Sequence, residues 1–254
     1  MKVYIMHYKP LVERKAHIQK LLKKLNLDSE FILQFDREEI TELYKKYNLN
    51  KEKWNHQLKL TKSIFLNNKL IDTNEPYRTI KRQLLYLFNK FYTPNWMRPR
   101  KLTLSEFSLY LKHDLALKKI SNLSTPALVI EDDVVLKPTT NKLIEKSYQL
   151  CKEEFDYIDL GGGCNLPLFE EDTPLSNNKE FVKLKIPRSR TTAAYMLNSR
   201  AARILSKGIQ PIIMPVDWQY QYLFLKNKFN VAWTNPSAFY HGSENEFKTS
   251  LTRN

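Results

Sequence analysis

Two hydrophobic periods alternate along the chain, and their order predicts an open α/β sheet. Lys2–Met6 is a short β-prone run, and Pro10 stands where a strand would give way to a helix. Ile18, Leu21, Leu22 and Leu25 then recur at i, i+3, i+4 and i+7, with Arg14, Lys15, Lys20, Lys23 and Lys24 on the other faces, which predicts an amphipathic helix. Phe31-Ile32-Leu33 reads as a second strand, so the chain opens β-α-β. Residues 37–92 read as mostly helical and basic, 93–100 as a Pro-broken connection, and about Thr103 to Ile120 as a further helix. Ala127–Ile130 is a continuous apolar run of the kind that forms a buried central strand, and it ends in Glu131-Asp132-Asp133.

Beyond it, Phe155–Leu160 predicts a strand running into Gly161-Gly162-Gly163, a backbone path closed to other residues. No Gly-x-Gly-x-x-Gly and no following Lys-Ser/Thr make it a phosphate loop. The acidic, polar stretch 165–180 reads as a mobile loop. Thr191–Leu197 reads as a strand, with Ser199 capping a helix that holds Ala202 and Leu205. Pro215-Val216-Asp217 precedes a helix beginning near Trp218. Asn230–Trp233 is the last strand-like piece and leads into Asn235–Ser243. No internal repeat is present, and 254 residues fit one domain, 1–254, with a basic helical segment at about 40–101.

Composition narrows the classes. A hydrophobic share of 42%, a charged share of 27%, 5 Gly and 12 Pro exclude collagen-like and low-complexity chains. No stretch approaches the roughly 18 apolar residues of a spanning helix, and the start lacks the length and cleavage site of a signal peptide. Cys151 and Cys164 are too few for a disulfide framework or a Cys-rich zinc site. A cytoplasmic location is therefore expected. The formal charge is +14, and residues 51–119 carry +10 of it, with 15 Lys/Arg against 5 Asp/Glu. Within that span, Tyr77–Lys90 sets apolar residues at helical spacing beside Arg78, Lys81 and Arg82. This is either a basic amphipathic helix for anionic lipid or a core helix with a solvated basic face. Zinc-finger spacing, an aromatic RNA-binding signature and a P-loop are all missing, so nucleic acid is not expected as a partner.

Three adjacent acids after a buried strand raise one another's pKa, so a cation is expected among them. Ligands of open α/β sheets bind beyond the carboxyl ends of strands, and Mg²⁺ or Mn²⁺ is held there by one or two carboxylates plus phosphates. The alternative is a solvated turn in which Asp133 caps the next element. His241, between aromatics and a Gly-Ser turn, suits Mn²⁺ or acts as a structural hydrogen-bonder. Asp217 is either an N-cap or a general base. Glu106 and His113 lie two turns apart on one face of the predicted 103–120 helix.

Taken in order, these residues resemble glycosyltransferase family 25, the bacterial lipooligosaccharide and animal procollagen galactosyltransferases. Val3–Tyr8 with Glu13-Arg14 resembles the family's first strand and helix start. Ser105–His113 is similar to its Gly-Glu-x-Gly-Cys-x-Leu-Ser-His, keeping Glu106, Leu111 and His113. Ala127–Val134 resembles its apolar strand and Glu-Asp-Asp; Thr192–Leu197, Ala202–Leu205, Pro215–Asp217 and Pro236–His241 complete the series. Ser105, Ser108, Leu109 and Lys112 depart from the pattern, which leaves the sugar open. The resemblance implies a GT-A fold, an α/β Rossmann-like mixed sheet flanked by helices. It also implies an inverting transfer of a hexose, galactose by default, from a nucleotide sugar such as a UDP-sugar to a bacterial surface glycan or glycolipid.

By the same resemblance Asp133 and His241 hold Mn²⁺ or Mg²⁺. Tyr8, Arg14, Asp36, His113, Glu131, Asp132, Arg188, Arg190 and Thr192 lie about the donor, and Asp217, with Glu106 second, serves as catalytic base. An enzyme extending a lipid-linked glycan works at the inner leaflet, so residues 51–119 are expected to bring it to an anionic membrane surface as a peripheral protein. The competing readings are a polyanion or nucleic-acid binder without activity, a two-metal phosphoesterase for which 5 His are few, and a homologue that only binds nucleotide sugar.

Overall fold

The computed structural model describes residues 1–67, 99–163, 168–189 and 191–242. It is a mixed α/β structure built on a sheet in the order β2-β1-β3-β8-β5-β9-β7-β6. The left half comprises β1 (Lys2–Met6), β2 (Asp28–Ile32) and β3 (Ala127–Glu131), all parallel. β8 (Ala194–Leu197) runs antiparallel between β3 and β5 (Tyr157–Asp159). β9 (Val231–Thr234) is parallel to β5, and the hairpin β6 (Thr173–Leu175) and β7 (Asn178–Lys183) closes the far edge.

Side chains alternate across a strand, and here both sides are buried. Val3 and Ile5 face α1 (Val12–Leu25) and α5 (Thr140–Glu153), where they meet Ile18, Leu21, Leu143 and Ile144. Tyr4 and Met6 face the opposite layer, made by α4 (Leu104–Ile120), α6 (Ser199–Gly208) and α7 (Val216–Lys226). Two-sided burial is why the central strands read as unbroken apolar runs. Helices α2 (Thr41–Lys46) and α3 (Lys51–Asn67) follow β2, and Trp54 of α3 packs with Leu49, Ile213 and Met214. The amphipathic stretch 77–90 and the connection 93–98 lie outside the described residues, as does Cys164. Cys151 is buried, its thiol beside the Met196 carbonyl.

Several elements differ from the sequence expectation. Within 165–180 there is a hairpin rather than a loop. Its residues Asn178, Lys179 and Glu180 are polar because it forms a partly exposed sheet edge, so no apolar alternation marks it. Asn198, not Ser199, caps α6, accepting the Ala201 amide at 2.8 Å. α7 begins at Val216 with Pro215 before it, so Asp217 stands in the first turn and not at the cap. A small second sheet pairs β4 (Val134–Leu136) with β10 (Phe239–His241). At the end of β5 the buried Asp159 accepts the amides of Gly161 and Gly163. Gly163 has φ +73, and a Cβ there would lie 2.5 Å from the Trp233 ring, so side chain and conformation both exclude other residues.

Candidate active site

β1 and β3 are neighbours in parallel register, Met6 opposite Glu131, so their carboxyl ends open onto one pocket. Met6, His7 and Tyr8 line it from one strand end and Glu131, Asp132 and Asp133 from the other. Arg14, Arg37, His241 and a face of α4 complete the walls. The cation demanded by three adjacent acids is present in the fold itself. Arg14, in the first turn of α1, places Nη1 at 3.0 Å from Asp132 Oδ1 and 3.2 Å from Asp133 Oδ2. Asp132 Oδ2 lies 2.7 Å from His7 Nδ1 and 3.4 Å from the Tyr8 amide. Asp132 is thus turned inward, both oxygens engaged by protein groups.

Glu131, Asp133 and His241 are brought together differently. The β4–β10 ladder sets His241 opposite Val134, and the Gly242 amide donates to the Asp133 carbonyl at 2.7 Å. His241 Nδ1 thereby lies 3.4 Å from Asp133 Oδ2, and one donor atom from each of the three residues falls within 4.8 Å of the others. Two carboxylates and an imidazole in that space match the hard, mixed oxygen–nitrogen set that Mn²⁺ accepts. Thr192 Oγ1 donates to Glu131 Oε1 at 2.8 Å, and His113 Nε2 stands 3.9 Å from the same oxygen. Burial raises the Glu131 carboxyl, but His113, His241 and Thr192 outweigh it and hold it below the usual range, as an anion. His113 is itself fixed from behind: its Nδ1 lies 2.9 Å from the Tyr195 hydroxyl, which is 3.2 Å from that of Tyr220.

The remaining expected residues divide. Tyr8 lines the pocket, its hydroxyl donating to Glu38 at 2.5 Å, with the Arg37 guanidinium 4.4 Å from its ring centroid. Asp36 is buried behind the wall and paired with Lys112. Asp217 is half-buried, and burial pushes its carboxyl up to about 7, with Glu131 and Glu106 adding to the rise. Glu106 shares α4 with His113, as expected, but does not line the pocket. It closes the capping box of α4 with Thr103 and takes both Nη groups of Arg100 at 2.6 and 2.7 Å. Arg188 is not brought to the pocket either. It is buried against Asp172, Nη1 at 3.2 Å, between the rings of Phe169 and Trp233 at 3.9 and 4.5 Å. Arg190 lies outside the described residues.

Sequence reading missed His7, Arg37, Ser108 and Lys112, all of which line the pocket. A signal existed for all but Arg37. His7 immediately follows a central strand, as Glu131-Asp132-Asp133 ends another. Ser105, Ser108 and Lys112 recur at helical spacing on a helix whose other faces are apolar, which marks a polar stripe turned inward.

The family model described as glycosyltransferase family 25 (LPS biosynthesis protein) matches residues 1–219 of the 254. Among curated proteins no match is found.

Proposed function

Because the chain belongs to glycosyltransferase family 25, it is a glycosyltransferase that takes a sugar donor to a glycan acceptor, and we propose that it does so by inverting transfer of a hexose from a UDP-sugar at the β1–β3 pocket. The observation that carries this reading is the convergence of Glu131, Asp133 and His241 at the open ends of two parallel strands. Asp133 and His241, with Glu131 beside them, would hold Mn²⁺ or Mg²⁺. The ion, when bound, neutralises negative charge on a departing diphosphate.

The protein's own groups do the rest. Arg14 and His7 hold Asp132 inward, so that the acid cluster stays shaped while its mutual repulsion is offset. Tyr8 and Arg37 give the pocket a flat, cationic wall suited to a nucleobase. Asp217 would take the proton of the acceptor hydroxyl as that oxygen bonds to C1 and the C1–O bond to the diphosphate breaks, inverting the anomeric centre. A carboxyl near pH 7 is matched to that task. The basic span 51–119 supports work at an anionic membrane surface, where a glycolipid acceptor would lie.

The test is transfer itself. Purified protein, Mn²⁺, each of several UDP-hexoses and a lipooligosaccharide-type acceptor are incubated, and the product is read by proton NMR at the anomeric position. One donor should give product of inverted configuration. Retained configuration would contradict the single-displacement reading, and product without UDP release would contradict the donor class.

A further inference from the structure

Lys112 is almost wholly buried in the middle of α4, and it is used in full. Its Nζ lies 2.7 Å from Asp36 Oδ1, 2.8 Å from the Gln34 carbonyl and 3.3 Å from the Ile32 carbonyl. An ammonium has three protons, and three acceptors meet them, so none remains for a ligand. One turn earlier on the same face, Ser108 Oγ donates to the Phe35 carbonyl at 2.6 Å. Two side chains of α4 therefore bind acceptors from Ile32, Gln34, Phe35 and Asp36, the turn by which the chain leaves β2. That turn needs such help, because Phe35 sits at φ +66, where a non-glycine residue is uncommon. The opposite side of Asp36 is held too, its Oδ2 accepting the Lys9 amide at 3.3 Å.

What this turn presents to the pocket is Arg37, which lies over Tyr8. Lys9 and Tyr8 come from the end of β1, so the Lys112–Asp36 pair ties together the run-off of β1, the run-off of β2 and α4. Resting on the donor reading above, we infer that Lys112 is a positioning residue for the nucleotide end of the pocket: its ammonium closes the 32–36 turn onto α4 and so sets the Tyr8–Arg37 wall without touching the ligand. A thioether in its place leaves the Asp36 carboxylate buried and without its strongest partner, which favours opening of the turn. Arginine is no substitute, since a planar fork cannot meet the same three acceptors.

The experiment compares wild type, Lys112→Met, Asp36→Asn and the double variant, by calorimetric titration with UDP in the presence of Mn²⁺ and by amide hydrogen exchange over residues 33–39. Lys112→Met should weaken UDP binding at least about 10-fold, raise KM for the donor with kcat nearly unchanged, and speed exchange in 33–39 while β1 and β3 stay protected. Removing the stranded carboxylate as well should return part of the loss, the contacts to the Ile32 and Gln34 carbonyls staying lost, so the double variant should bind better than Lys112→Met alone. Wild-type affinity and exchange in Lys112→Met would overturn the inference, as would single losses that simply add in the double variant. Should Lys112→Met not fold, Asp36→Asn carries the comparison, and unchanged affinity and exchange there would overturn it equally. A wild-type protein that binds no UDP contradicts the donor reading, whereas binding retained by Lys112→Met contradicts the positioning role alone.

Discussion

Asp217 is the residue whose chemistry is set most directly by where it sits. In the first turn of α7 its carboxyl is raised to about 7 by burial first, with the amides of Trp218 and of Asp217 itself working against the rise. In the proposed role the ionised form is the base, and its fraction increases as pH climbs through about 7. kcat/KM should therefore rise across that region and level off above it. Asp217→Asn should cost about 10²–10⁴-fold and abolish that limb of the profile. A variant with near wild-type rate and an unchanged profile would remove Asp217 from the mechanism. At this scale the sequence shows which residue types stand at strand ends, so the acid cluster and the expectation that His241 stands beside Asp133 were readable from it, and the two lie 3.4 Å apart. The tasks of Asp132, Asp36 and Glu106 were not. Asp132 meets His7 from 125 positions away and Asp36 meets Lys112 from 76, and no local pattern encodes such pairings. Glu106 is spent on a cap that could have been read from Thr103, three residues before it, as a capping box.

Elements with two buried faces were the most legible, because continuous apolar runs mark β1, β3, β8 and β9 without help from tertiary context. Edge elements were not. β6 and β7 are polar, and β4 and β10 are three residues each, too short to show a period. Yet the β4–β10 pair is what carries His241 to Asp133, so a site-forming element was among the illegible ones. The basic segment is intermediate. The described part of α3 buries Trp54 and Gln57 and exposes Lys51, Lys53, His56 and Lys59, which is a core-facing helix with a solvated cationic face. Such a face can still serve a membrane surface, at about 1 kcal/mol per Lys or Arg close to anionic lipid. Co-sedimentation should show binding to vesicles rich in phosphatidylglycerol, little binding to neutral phosphatidylcholine vesicles, and loss of binding as salt rises. Binding indifferent to both lipid charge and salt would sink the membrane role.

Among the described residues, one end of the large sheet gathers a cluster of buried and half-buried charged groups. The carboxyl ends of β1 and β3 gather three acids, and Arg14, His7, His113 and His241 converge on them from α1, the residue after β1, α4 and β10. Distant segments thus agree on a single place, and the chain belongs to a family of glycosyltransferases. No helix among the described residues is long and apolar enough to cross a membrane. The proposed function requires that the acid cluster and His241 bind a metal together with a nucleotide diphosphate. Its most direct test is calorimetric titration of UDP, with Mn²⁺ or with chelator, into wild type and Asp133→Ala. Saturable UDP binding that requires Mn²⁺ and is lost in Asp133→Ala is the predicted result. UDP binding of equal strength with chelator and in Asp133→Ala would contradict it, as would no binding of UDP by the wild type in either condition.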